Sequence, residues 1–257
     1  MRMLSRSYLG YVCLAAVLTV AVFGLGLPAG AAAGSPAGGA GSGEIAASSW
    51  ATADAGGADS PRLSPRVLAA ALDAATCARD RGIAAREDLL TVIDYSLPST
   101  APRLWVLDLA RHRVLFHELV AHGAGSGDNY ATRFSNDLDS RQTSLGLFLT
   151  AGTYEGGNGY SLRLRGLEPG VNDLAEERNI VIHGAWYVSA EHASRYGRLG
   201  RSWGCPALPQ EIAARVIDTI KEGSFVFSYA PDATGLRASA ERGCPAFSSA
   251  ASKTASR

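Results

Sequence analysis

Between residues 89 and 229 the chain is built from short apolar, β-branched runs separated by Gly, Pro, Ser and Asp. That pattern suits strands and little else. The runs are 89–94, 104–109, 114–120, 145–150, 161–164, 180–182 and 225–229, and residues 110–113 read as a hairpin loop between the second and third. Helical periodicity appears three times. One helix starts at Pro65 after a candidate cap, Ser64, and carries Val67, Leu68, Ala71, Leu72 and Ala75 on one face, with Gly82 to close it. A short one spans 190–196 between Ser189 and Gly197, and a third spans 209–222 with Ile212, Val216 and Ile220 on one face. Strands and helices do not alternate regularly enough for a parallel βαβ sheet, so the fold class is mainly β with a few helices.

The 257 residues do not all belong to that domain. Arg2 and Arg6 precede an apolar, uncharged stretch over 8–27, and Ala29-Gly30-Ala31 and Ala31-Ala32-Ala33 offer small residues for cleavage. Residues 1–33 therefore read as an export signal, in preference to a permanent anchor. Val12 precedes Cys13 where a lipoprotein would carry a small residue, which argues against a lipid anchor. Residues 34–60 are a Gly/Ala/Ser-rich tether, 61–247 the domain and 248–257 a disordered tail. Hydrophobic residues at 47% and charged residues at 19% exclude a disordered or fibrous chain. The 24 basic and 24 acidic residues cancel, and loss of Arg2 and Arg6 leaves no basic field to grip nucleic acid or an anionic bilayer.

Export makes the cysteines informative. Cys77, Cys205 and Cys244 remain after cleavage, an odd number that suits one disulfide and one free thiol in an oxidising compartment. Cys77 precedes the strands and Cys244 follows them, so a bridge between them would tie the two ends of the domain together. There is no CxxC pair, and His112, His117 and His122 recur at a spacing that turns them to opposite faces of a strand, which argues against zinc.

Chemistry concentrates in two segments, Asn179-Ile180-Val181-Ile182-His183-Gly184-Ala185 and Gly200-Arg201-Ser202-Trp203-Gly204-Cys205-Pro206. The first delivers an imidazole from a strand into a glycine turn. The second presents a thiol just ahead of a helix, where the dipole favours thiolate. An isolated pair of this kind is better explained as a small buried core thiol near an ordinary histidine. The glycines and the close run of Ser, Trp and Cys shift this pair toward nucleophilic catalysis, with oxyanion donors among the amides of Cys205, Gly204 and Trp203.

Chain order tests the rivals. Gly200-Arg201-Ser202-Trp203-Gly204 matches a nucleophile elbow, but that hydrolase order needs a His after the Ser, and none follows His192. Papain-like order fails the same way. The base must lie upstream of Cys205, and His183 is best placed. His192 reads as helix surface and His112 and His117 as hairpin residues, while the glycine-rich loop after His122 leaves that residue a possible cleft neighbour. The spacing of Gly123, Gly125 and Gly127 matches neither common phosphate loop.

The His183-Gly184-Ala185 turn and the run from Gly197 to Pro206 resemble the L,D-transpeptidase catalytic domain family of the YkuD type, in its murein L,D-transpeptidase catalytic domain subgroup. Further resemblance lies in Ile93-Asp94-Tyr95-Ser96-Leu97-Pro98-Ser99, Phe134-Ser135-Asn136, Ser144-Leu145-Gly146-Leu147-Phe148, Gly159-Tyr160-Ser161-Leu162-Arg163-Leu164 and Glu168-Pro169-Gly170-Val171-Asn172-Asp173. Two positions depart. Trp203 stands where the common signature has a second His, and Ala207-Leu208 follow where it carries Asn or Arg.

The resemblance implies a YkuD-type, β-sandwich-like domain with Cys205 as nucleophile and His183 as base on peptidoglycan stem peptides. It implies no metal and no organic cofactor. Gly204, Ser202 and Gly184 are expected to support the oxyanion or the loop, and Arg201, Trp203 and Tyr160 to contact substrate. Ser202 is equally well a turn hydroxyl, and Arg201 equally well a solvated charge. Two other classes stay open: a cysteine hydrolase or sortase-like enzyme acting on protein, for which Arg215 is a poorly placed arginine, and a non-catalytic wall-binding domain. The implied location is exported, periplasmic or extracellular, against the cell wall. Oligomeric state and acceptor are not legible.

Overall fold

A computed structural model describes residues 62–231. The signal, the tether, Cys244 and the tail lie outside the described residues. Helix α1 (Pro65–Asp80) is followed by strands β1 (Leu89–Asp94), β2 (Leu104–Asp108), β3 (Arg113–Glu118), β4 (Gly146–Gly156), β5 (Gly159–Gly166) and β6 (Val181–Ala185). Then come α2 (Ala190–Tyr196), β7 (Ala207–Pro209), α3 (Gln210–Ile220) and β8 (Phe225–Tyr229). The strands form one eight-stranded sheet in the order β3-β2-β1-β8-β4-β5-β6-β7. The mainly β reading holds.

The details differ in instructive ways. The sheet is mixed, because β1 pairs with β8 and β6 with β7 in parallel. Strand β4 is longer than its apolar run. It continues past a register shift between Thr150 and Thr153 into a half-exposed hairpin with β5, where burial no longer shapes the sequence. Strand β7 has no sequence signature, since three residues ending in proline are tolerated only at an edge. Ser64 stands at the start of α1 without a capping side-chain bond. Ser189 and Gly197 cap α2 as expected: the Ser189 hydroxyl accepts the His192 N–H at 3.2 Å, and Gly197 is left-handed.

Both faces of the sheet are covered, which is why β1 and β2 are buried along their whole length. Helix α1 packs Val67, Leu68, Ala71 and Ala75 into one layer with Leu90, Val92, Trp105, Leu147 and Phe225. Helix α3 packs Ala213, Val216, Ile217 and Ile220 into the other with Ile93, Leu104, Val106, Leu162 and Ile182. Each fully buried Leu, Ile or Phe contributes about 1.5–3 kcal/mol.

The two edges nearly meet, so the sheet approaches a barrel. Beyond β3 the chain makes an antiparallel bridge from Ala121 to Ala207 and a parallel one from Gly123 to Ser202. Three backbone bonds fasten this seam: Ala121 N–H to Ala207 O at 2.8 Å, Ser202 N–H to His122 O at 3.0 Å and Ala124 N–H to Ser202 O at 2.8 Å. The Glu168–Asn172 turn is a buried clamp. Glu168 accepts the Leu147 N–H at 2.6 Å, and the Asn172 amide donates to Leu145 O and Leu147 O.

Candidate active site

Alternation along β6 sorts its side chains. Ile182 points into the α3 layer, and a Cβ on Gly184 would lie 3.0 Å from the Ala213 methyl, so α3 and Gly184 pack closely. Val181 and His183 face the other way, into a cleft of about 800 Å³. The parallel register His183↔Ala207 carries the chain back to Cys205 abreast of Val181, so thiol and imidazole line the same cleft.

His183 is held by a single bond: its Nδ1–H donates to Gly184 O at 3.0 Å. A carbonyl can only accept, so the proton sits on Nδ1 and Nε2 keeps a free lone pair. Burial lowers its pKa, partly offset by the Gly184 carbonyl. The imidazole is neutral and basic at the nitrogen that matters.

Cys205 is buried and is the free cysteine among the described residues. Cys77 is disulfide-bonded. The Cys205 thiol donates to Asn179 O at 3.6 Å, and no hydrogen bond joins it to His183. The expected helix entrance is not there, because β7 intervenes before α3 begins at Gln210. Burial instead pushes the thiol's pKa up. The Val181 N–H, the Arg178 guanidinium and the cysteine's own N–H oppose that shift.

The thiol's loop is fixed from within. The Ser202 hydroxyl donates to Cys205 O at 2.6 Å and accepts the Gly204 N–H at 3.1 Å. Ser202 is thus placed as a turn hydroxyl bracing the Cys205 loop. The Gly204 N–H, expected as an oxyanion donor, is already engaged, which leaves the amides of Cys205 and Trp203. Gly204 has φ +121°, and a Cβ there would lie 2.9 Å from Gln142 O. Only glycine fits.

Arg178 was not picked out from the sequence, and nothing local marks it. It comes from the turn before β6 and lines the cleft. Its guanidinium donates to Ser135 O at 2.7 Å, to Ser144 Oγ, to Ser140 Oγ at 3.1 Å and to Gln142 O at 2.6 Å. All four acceptors are neutral, and the guanidinium's charge acts on both the Cys205 thiol and the Asp137 carboxylate. These bonds also tie the 134–144 loop, whose Leu138, Asp139 and Arg141 form the facing wall, to the turn before β6.

The other expected contacts divide. Trp203 stands at the mouth, 73% exposed, with the Arg141 guanidinium 4.7 Å over its ring. Arg201 lines the cleft but is paired with Asp128 at 2.9 Å and bonds Gly127 O at 2.9 Å. Tyr160 is not in the cleft wall, since its hydroxyl donates to Asp218 on α3 at 2.8 Å. Arg215 also lies on α3, its guanidinium 5.8 Å over Phe116.

His122 is wholly buried and outside the cleft. Arg103 Nη2 donates to its Nδ1 at 2.8 Å, and its Nε2 lies 3.4 Å from Gly127 O. Burial and the Arg103 charge lower its pKa to about 4. With both nitrogens engaged it cannot serve as the base. Among the described residues no group of three His, Cys, Asp or Glu is placed to hold a metal.

No curated protein matches the chain. Among solved structures, an L,D-transpeptidase from Mycobacterium smegmatis aligns at 16% identity and TM-score 0.34, over 56% of this chain and 59% of that one. One from Xylanimonas cellulosilytica aligns at 16% and 0.33, over 62% and 77%. One from Stackebrandtia nassauensis aligns at 14% and 0.35, over 62% and 65%. The chain thus spans about three fifths of the mycobacterial protein's length. The family model described as L,D-transpeptidase catalytic domain matches residues 59–229, which takes in α1, every strand and both halves of the thiol–imidazole cleft. On that match the chain belongs to the L,D-transpeptidase catalytic domain family.

Proposed function

We propose that the protein is an exported, cysteine-dependent peptidoglycan L,D-transpeptidase. The observation that carries this reading is one cleft lined by both Cys205 and an imidazole whose Nδ1–H is locked on Gly184 O, leaving Nε2 free. A neutral thiol and a neutral imidazole define the resting state. The Cys205 thiol first releases Asn179 O. Its sulfur then attacks the stem-peptide carbonyl that precedes the terminal D-alanine, while His183 Nε2 takes the thiol proton. The tetrahedral oxyanion is stabilised by the amides of Cys205 and Trp203. His183 returns the proton to the departing amine, D-alanine leaves, and a thioester remains. An amine from a neighbouring stem resolves it to a cross-link, and water resolves it to a shortened stem.

Arg178 supplies the counter-charge for the sulfur as it loses its proton. Arg201, already paired with Asp128, positions the 127–128 loop at the cleft edge. Tyr160 braces β5 against α3 through Asp218. The signal-like residues 1–33 account for export to the periplasm or cell wall, and among the described residues no helix is long and apolar enough to cross a membrane. A sortase-like reading lacks the arginine downstream of the cysteine, because Arg215 is turned to Phe116.

The test is mass spectrometry of purified muropeptides incubated with the mature protein. The expected products are cross-linked dimers formed with loss of D-alanine, together with any shortened stems, and both vanish in Cys205→Ser. An unchanged muropeptide profile combined with normal labelling by a thiol probe would sink the reading.

A further inference from the structure

Helix α2 is unusual in burying none of its residues. Both ends are nevertheless capped, and Ala193 alone leans on the small cluster of Ala121, Ala185, Val188, Leu199 and Ala207. A short helix contributing so little to the core is held for what it displays. What it displays is aromatic. Trp186, 76% exposed, meets Tyr187 edge-on with centroids 5.8 Å apart and His192 at 5.7 Å; His192 meets Tyr196, 54% exposed, at 4.5 Å. The row of rings runs outward from the cleft, because Tyr187 lines the cleft wall.

We propose that Trp186, His192 and Tyr196 form a shelf that binds the neutral glycan strand of the wall polymer beside the cleft that takes its stem. The inference rests on the proposed substrate. A stem peptide is covalently attached to a sugar, so a stem lying in the cleft brings its glycan to the cleft's rim. Ring faces carry partial negative charge and attract the polarised C–H faces of a pyranose, and they lose little entropy in doing so. Trp186 and Tyr196 leave large apolar surfaces in water, which a sugar face covers without demanding a charge. The nearest cation, Arg195, lies 5.4 Å over Tyr196 and also suits an N-acetyl carbonyl.

The experiment titrates the intact protein with a stem-free probe, the β-1,4-linked tetramer of N-acetylglucosamine, followed by tryptophan fluorescence and calorimetry. Saturable binding is expected, weakened about fivefold in each of Trp186→Ala and Tyr196→Ala if each ring contributes about 1 kcal/mol. Unchanged melting temperatures and Cys205 alkylation rates in both variants show that the fold is intact. Failure of the parent to bind, binding by both variants as tight as the parent's, or self-association through Trp186 in place of glycan binding overturns the shelf. The two readings fail separately. A parent that binds the tetramer but yields no product from stem peptides keeps the shelf and loses the transpeptidase assignment, and a parent that processes stems without binding the tetramer does the reverse.

Discussion

Arg103 donates from Nη2 to Nδ1 of His122 at 2.8 Å, and the same guanidinium bonds Val120 O and Leu97 O, so a fully buried arginine has neutral acceptors only. The pairing makes His122 an acceptor at Nδ1 and places its proton on Nε2, toward Gly127 O. His122 O in turn accepts the Ser202 N–H. A buried histidine outside the cleft therefore sets the strip on which the Cys205 loop is hung.

Stability should fall as the solution is acidified through this histidine. Its pKa drops from the ordinary 6.5 to about 4 in the folded state, so between those values the unfolded chain binds the extra proton. Stability is full above about pH 6.5 and declines toward pH 4 by about 3 kcal/mol from this group, as an order of magnitude. Denaturant titrations at stepped pH should show that slope in the parent and a shallower one in His122→Gln. Equal slopes would remove His122 as the cause.

His183→Ala should slow turnover by about a hundredfold or more, the usual loss of a well-placed general base. Burial keeps thiol and imidazole neutral in the parent. Iodoacetamide labelling of Cys205 should therefore climb with pH beyond the ordinary thiol range, with no thiolate plateau near neutrality. His192→Ala should leave this profile in place. A plateau near neutral pH in the parent would mean a preformed ion pair.

Arg178→Met should remove the charge that opposes burial at Cys205 and raise the thiol's pKa further. Labelling at pH 7 is expected to fall several-fold, and Arg178→Lys should recover only part of it. A lysine restores charge but cannot reproduce a fork of four bonds. Full recovery by lysine would show that the 134–144 loop needs no such tie.

Ser202→Ala removes the hydroxyl that links Cys205 O to the Gly204 N–H, at a cost of about 1–3 kcal/mol for the groups left unpaired. Gly204→Ala should be worse for activity, because it meets both an unfavourable φ and the Gln142 carbonyl. Melting curves and turnover of both variants check the ranking.

Cys77 and Cys244 are proposed to pair, with Cys244 outside the described residues. The disulfide at Cys77 and the free Cys205 give one reactive thiol in the denatured, unreduced mature protein. A bridge closing so long a loop stabilises by about 4–5 kcal/mol on the chain-entropy estimate. Counting three thiols would refute the pairing.

The sequence made the strands legible wherever burial on two faces imposed apolar, β-branched residues, as in β1, β2 and β8. It hid β7, which is too short for a period and ends in proline, and the outer half of β4, where solvent relaxes the pattern. Cys205 and His183, which share one cleft, stood out because each has a glycine next to it, Gly204 and Gly184. Arg178 did not, since its meaning lies in four acceptors more than thirty residues away. The side Tyr160 faces was not legible either: a motif tyrosine on the strand next to β6 points to whichever face alternation dictates, and here that face meets Asp218.

The near-closure of the sheet bears on when, during folding, the thiol–imidazole cleft forms. Ala121 and Ala207 are remote in sequence, and joining them costs loop entropy that no local turn repays. Hairpins such as β2–β3 and β4–β5 assemble from neighbours, whereas the seam needs both ends of the sheet in place. Cys205 lies between two residues of that seam, Ser202 and Ala207. Its surroundings are therefore expected to close late in folding. In refolding followed by pulsed thiol labelling, Cys205 should gain its native protection in the slowest phase, after the backbone amides of β1 and β2.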